Sequence, residues 1–155
     1  MKRLILLILV LSAVAAAQTT CTLSTITGTY AVSYLGWVYV AQPGGTLVAL
    51  PGTVFGVISI GYDGKLSGGA AVSGMGPVVD FDISGTTEIK SDCTGTLHMK
   101  PKPRAGGPAG FETDRFVFIP SDKTLLTTIV DVDYGYPASN SVWKQMSTLP
   151  NAAAW

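Results

Sequence analysis

The chain has 155 residues, with ten basic residues against ten acidic ones, 18 glycines, nine prolines and two cysteines. That balance offers no basic patch for nucleic acid, and the length fits one domain able to bury a core without metal or several disulfides. No residue pattern in it specifies a chemistry, so what the sequence states most clearly is architecture.

Lys2 and Arg3 precede an unbroken apolar run over residues 4–11, and small residues follow, the layout of a secretory signal peptide. Ala15 and Ala17 fit the small positions before a cut ahead of Gln18, and the run is shorter than the roughly 18 residues of a membrane-spanning helix. The expected organisation is a signal peptide at 1–17, a single β-barrel domain at 18–150 and a disordered tail at 151–155. The mature product is expected to be secreted or periplasmic, with no integral membrane span. A lipid anchor on Cys21 is disfavoured, because Gln18-Thr19-Thr20 lacks the small and apolar residues such processing requires. Removing Lys2 and Arg3 leaves eight basic against ten acidic residues, a net charge of −2. In an oxidising compartment Cys21 and Cys93 read as one disulfide, closing a loop worth about 4 kcal/mol in the chain-entropy model.

From there the pattern has a period of two and no helical spacing. Tyr30, Val32 and Tyr34 alternate with Thr29, Ala31 and Ser33, a half-buried strand from Gly28, with residues 37–40 continuing after a break at Gly36. Gln42-Pro43-Gly44-Gly45 and Pro51-Gly52 are turn chemistry, which leaves 46–50 and 53–60 as separate strands. Asp63-Gly64 is a hairpin signal in which both residues tolerate positive φ, leading to a strand over 65–72. Gly68-Gly69 within it predicts a bulge or the close approach of another backbone.

After a break at residues 74–77, Val79, Phe81 and Ile83 share one face, and Asp80 and Asp82 the opposite, wetter one. A polar turn with Cys93 in it then makes a hairpin in which Leu97 and Met99 share the apolar face with the cysteine. Residues 101–110, with three prolines, carry no strand signal and are expected to form an exposed loop. Strands over 111–119 and 124–131 flank a type I turn at Pro120-Ser121-Asp122-Lys123, a loop covers 134–138, and a closing strand 141–146. Eight to ten short strands of this kind make an all-β antiparallel meander, expected to close into a small barrel, with a β-sandwich as the alternative. The barrel is preferred because closure removes exposed edges.

Three turn segments carry a resemblance. Gly28-Thr29-Tyr30, Tyr62-Asp63-Gly64-Lys65-Leu66-Ser67-Gly68 and Ser91-Asp92-Cys93-Thr94-Gly95-Thr96 resemble small exported bacterial proteins with an early Cys, a "DGxGxxSG"-type hairpin and a "DCTGT" hairpin. Those are similar in turn to lipocalins and to the allene oxide cyclase barrel. The resemblance spans most of residues 21–146 and implies a lipocalin-like or allene oxide cyclase-like barrel. Enzymes of that shape close a ring inside an apolar lumen, but none of their functional residues matches a position here, so no catalytic residue is carried over. Thr87-Glu88-Ile89 also stands where a tyrosine-containing strand commonly leads into the cysteine hairpin.

His98, the one histidine, reads as a surface residue, since a lone imidazole has no ligand spacing and no acid–base partner. Asp80 with Asp82 and Asp131 with Asp133 are paired carboxylates of the kind a glycosidase or calcium site could use, and also what any solvated strand face shows. The Asp131 segment has Gly135 where an EF-hand loop needs a ligand and Val142 where it needs the glutamate. No nucleophile elbow or phosphate cradle is present, and an outer-membrane barrel lacks its aromatic girdles. The expectation is therefore no cofactor and no metal. Tyr30, Tyr34, Trp37, Phe55, Phe81, Phe116 and Phe118 are candidate linings of a ligand cavity. The function expected is non-enzymatic binding of a small apolar ligand or a surface partner, in an unspecified oligomeric state. The alternatives are a cyclase or isomerase using a lumen carboxylate such as Glu88 or Asp80, and a structural, envelope-associated role.

Overall fold

Alternation of apolar and polar residues builds eight antiparallel strands, and the computed structural model describes residues 20–41, 47–74, 77–132 and 140–146. The expected signal peptide, the tail, the turn at residues 42–45 and the loop at 134–138 lie outside the described residues. The strands are β1 (Gly28–Ala41), β2 (Leu47–Ile60), β3 (Lys65–Ser73), β4 (Val79–Ile89), β5 (Thr94–Pro103), β6 (Glu112–Ile119), β7 (Thr124–Val132) and β8 (Asn140–Gln145). Each pairs with the next, and β8 pairs back onto β1, so the meander is a closed barrel and not a sandwich. Following paired residues from Tyr30 leads through Ile58, Gly68 and Ile83 to Pro101. The walk begins near the start of β1 and ends near the end of β5, which reflects the strand tilt that closure demands.

Two expected strand breaks do not occur. β1 runs straight through Gly36, where the Tyr34 hydroxyl occupies the space a Cβ would need. β2 runs through Pro51 and Gly52, which pair with Trp37 and Gly36. β3 joins β2 only from Thr53 onward, so among the described residues the Pro51 stretch is bonded to β1 alone, an edge position that tolerates proline.

The proline segment differs for a related reason. Pro101 and Pro103 belong to β5 and pair with Ile83 and Phe81. The Pro101 carbonyl accepts the Gly110 N–H at 2.7 Å, on the side away from β4, so the missing proline N–H faces that side too and the ladder to β4 is intact. Arg104 N–H resumes the β4 side by donating to Asp80 O at 2.9 Å. The exposed loop is confined to residues 104–111.

Two hairpins share one design. Gly61 N–H donates to Lys65 O at 2.9 Å and Lys90 N–H to Thr94 O at 2.7 Å, and each encloses three residues. The third is left-handed in both, Gly64 with φ 75° and Cys93 with φ 67°. This is the three-residue loop ending in a left-handed residue, in place of the expected two-residue Asp-Gly turn. The aspartates lock it: Asp63 Oδ1 accepts Lys65 N–H at 3.1 Å, and Asp92 Oδ1 accepts Thr94 N–H at 3.0 Å and its hydroxyl at 2.7 Å. Hydrogen bonds from the Lys65 and Thr94 side chains hold both carboxyls below their usual range. The β6–β7 turn differs: Pro120 opens it, Asp122 N–H donates to Ile119 O at 3.3 Å, and the left-handed residue, Lys123 with φ 52°, stands just before Thr124, the partner of Ile119.

One helical turn, α1 (Leu23–Ile26), was not predicted and closes the barrel at this same end. Thr22 N–H donates to Thr25 Oγ1 at 3.0 Å and the Thr27 hydroxyl to Leu23 O at 2.9 Å, local bonds that stabilise so short a turn. Ile26 is fully buried, the Tyr30 hydroxyl donates to its carbonyl at 2.7 Å, and the Cys21–Cys93 disulfide ties the segment to the β4–β5 turn. Above this plug lie Tyr30, Ile60, Leu66, Leu97, Phe118, Leu125 and Trp143, so one pole of the barrel is sealed and solid.

Candidate functional site

The inward face of β6 carries Phe118, Phe116, Asp114 and Glu112 in turn, from the sealed pole toward the opposite mouth. An acid is therefore placed in phase with two core aromatics. Asp114 is 2% exposed, and its Oδ1 has no hydrogen-bond partner among the described residues. Leaving such an oxygen unsatisfied costs about 1–3 kcal/mol, so its retention calls for an explanation beyond packing.

Beside this carboxyl runs a polar ladder. The Thr127 side chain and the Glu112 carboxyl both hydrogen-bond to Asp114. The Thr127 hydroxyl pairs with Ser141 Oγ at 2.5 Å, and Trp143 Nε1–H donates to that same Ser141 Oγ at 3.0 Å. The ladder thus climbs the wall from the packed floor to the mouth through β8, β7 and β6.

Burial, with the Glu112 charge added to it, pushes the Asp114 carboxyl up to about 8. Glu112 is raised as well, chiefly by burial, and its bond to Asp114 opposes the shift. Two carboxyls this close share a proton, and the less buried Glu112 is the member that ionises first. Tyr30, deeper in the floor, is pushed up to about 12 by burial.

Among the described residues no counter-charge faces them. Every described lysine and arginine is exposed, and apart from Glu112 and Asp114 so is every acidic residue whose side chain is described. Some inward positions are small: Gly56 follows the phase of Ile58, Ala70 that of Leu66, and Gly85 that of Ile83 and Thr87. Comparison with protein-family models, with curated proteins and with solved structures finds no match.

The candidate lining residues divide. Tyr30, Phe116 and Phe118 are buried in the interior, Phe81 packs partly buried against it, and Tyr34 is half-buried. The three buried rings belong to the packed core. Phe55 is a correction, because it stands 60% exposed on the outer wall in phase with Val57, while Ile58 and Ile60 take the inner face. Apolar residues on both faces of β2 hid that phase. The Trp37 side chain lies outside the described residues.

Glu88 and Asp80, named as lumen carboxylates, are exposed on the outside instead. Asp82 pairs there with Arg104 Nε at 2.8 Å, and His98 Nδ1 lies 3.3 Å from Thr113 Oγ1. The Asp131 side chain and all of Asp133 lie outside the described residues. Among the described residues no three His, Cys, Asp or Glu side chains group as a metal site would need, and no helix is long and apolar enough to cross a membrane.

Sequence reasoning missed Glu112 and Asp114, although a signal existed: both fall on the parity of Phe116 and Phe118. The outer wall has features of its own. Val117, Leu126 and Val142 are exposed cross-strand neighbours and line a groove of about 810 Å³ with Arg115 and Lys90 at its rim.

Proposed function

We propose that this is an exported, lipocalin-like binding protein that takes one small, mostly apolar molecule into the barrel through the end opposite α1. One observation carries the reading: the interior is an apolar floor with two carboxyls set above it, one of which keeps a buried oxygen that the described residues leave without a partner. Polar groups few in number and fixed in an apolar surround are how small-molecule sites set orientation. The charged n-region, the apolar run and Ala15 and Ala17 support export, and N-terminal sequencing of the secreted protein should begin at Gln18. Native mass spectrometry of protein purified from its host should show a bound small molecule. A consistently empty barrel from several preparations counts against the reading.

A second reading is favoured by the same pair. A buried acid holding a proton beside one that ionises first is an arrangement for moving a proton, as a cyclase or isomerase in the lumen would. Recovery of the bound molecule chemically unchanged after prolonged incubation separates binding from turnover.

A further inference from the structure

We propose that Glu112 and Asp114 are the recognition site for the protonated amine of an otherwise apolar ligand. The inference deepens the lumen-binding reading and rests on it. Three observations converge. The two carboxyls are adjacent on the inward face of β6, and Asp114, 2% exposed, keeps an oxygen that no donor of the described chain reaches. All eight described lysines and arginines stand outside, so nothing among them can balance the charge that forms inside. The Thr127 hydroxyl is tied to Ser141 and gives the Asp114 carboxyl one partner, and the Trp143 indole N–H is already spent on Ser141, so the ladder has no donor left for Oδ1.

An ammonium group supplies what is missing, three donors and a positive charge with no acceptor of its own to satisfy. An alcohol answers one oxygen and leaves the charge unpaired, and a carboxylate or phosphate is repelled. On the inward faces of β3 and β4, Ala70 and Phe81 are only partly buried and offer apolar surface for the rest of the molecule.

The test is isothermal titration calorimetry of the disulfide-intact protein at about pH 7 with three probes of equal chain length: octylamine, octanol and octanoate. Octylamine should bind at least about tenfold more tightly than octanol, because its contacts are charge-assisted, with octanoate weakest. E112Q and D114N should each narrow the gap between octylamine and octanol measured on the same variant to less than about threefold. E112Q, at the less buried position, serves if D114N does not fold. Octanol or octanoate binding as tightly as octylamine overturns the amine assignment and leaves lumen binding standing. An octylamine preference that survives both variants overturns it as well, placing the amine elsewhere on the surface. Absence of binding by all three probes removes the lumen-binding reading along with it.

Discussion

Asp114→Asn should remove most of the pH dependence of this protein's stability. In the fold the Asp114 carboxyl is pushed up to about 8, and in the unfolded chain it returns to the ordinary value near 3.8. Between those limits the folded state holds a proton that the unfolded state has released, so raising the pH favours unfolding. The stabilising contribution is complete below the unfolded value and is lost as pH rises through the folded one. One proton corresponds to about 1.4 kcal/mol per pH unit, so the loss between pH 5 and pH 8 reaches at most about 4 kcal/mol. Glu112, raised in the same direction, adds to the trend. Asp63 and Asp92 are lowered and act in the opposite sense, but only at pH values below the usual carboxylate range. Asparagine keeps the shape and stays neutral throughout. Guanidinium unfolding of wild type and D114N at pH 5, 6, 7 and 8, with the disulfide intact, should show the wild-type midpoint falling and the variant's nearly level, with D114N the more stable at pH 8. A wild-type midpoint that is flat or rises with pH, or a variant that follows the wild-type slope, refutes the account of the pair.

Replacing both cysteines with serine should cost about 4 kcal/mol in denaturant titrations, since the bridge closes a 72-residue separation; a loss under about 1 kcal/mol would show the plug holds without it. Tyr30→Phe removes the bond to Ile26 O and should cost about 1–1.5 kcal/mol, with faster amide exchange at Thr27, whose N–H donates to Leu23 O across α1. Gly64→Ala places a side chain at φ 75° and 2.9 Å from Thr87 O, and should lower stability by about 1–2 kcal/mol. Phe55→Ala should change stability by less than about 0.5 kcal/mol while Phe118→Ala costs about 3–5, the contrast that separates outer wall from core.

Alternation made the strands legible, and Cys93 could be paired with Cys21 because no third thiol competes. Turn chemistry was legible in kind but not in consequence. Pro51, Pro101 and Pro103 read as breaks, yet a proline interrupts a ladder only when its nitrogen faces a partner, and that direction depends on which strand lies alongside. Gly36 read as a break for a similar reason, although its lack of a Cβ makes room for the Tyr34 ring. α1 was invisible because four residues cannot show a helical period. The face of Phe55 was hidden because β2 is apolar on both sides. Glu112 and Asp114 were legible only by asking which face of β6 holds Phe116 and Phe118, a question that treating acids as surface residues never raises.

The barrel starts and finishes at its plugged pole. Gln145 Nε2 donates to Thr27 O at 2.8 Å and Met146 N–H to Thr29 O at 2.8 Å, so the chain leaves β8 beside the point where it joined β1. A tether attached before α1 or after β8 therefore holds the molecule by its base and points the opposite rim toward solution. The same closeness suits the chain to circular permutation, with a short linker across the base and new ends cut into the exposed loop at residues 104–111.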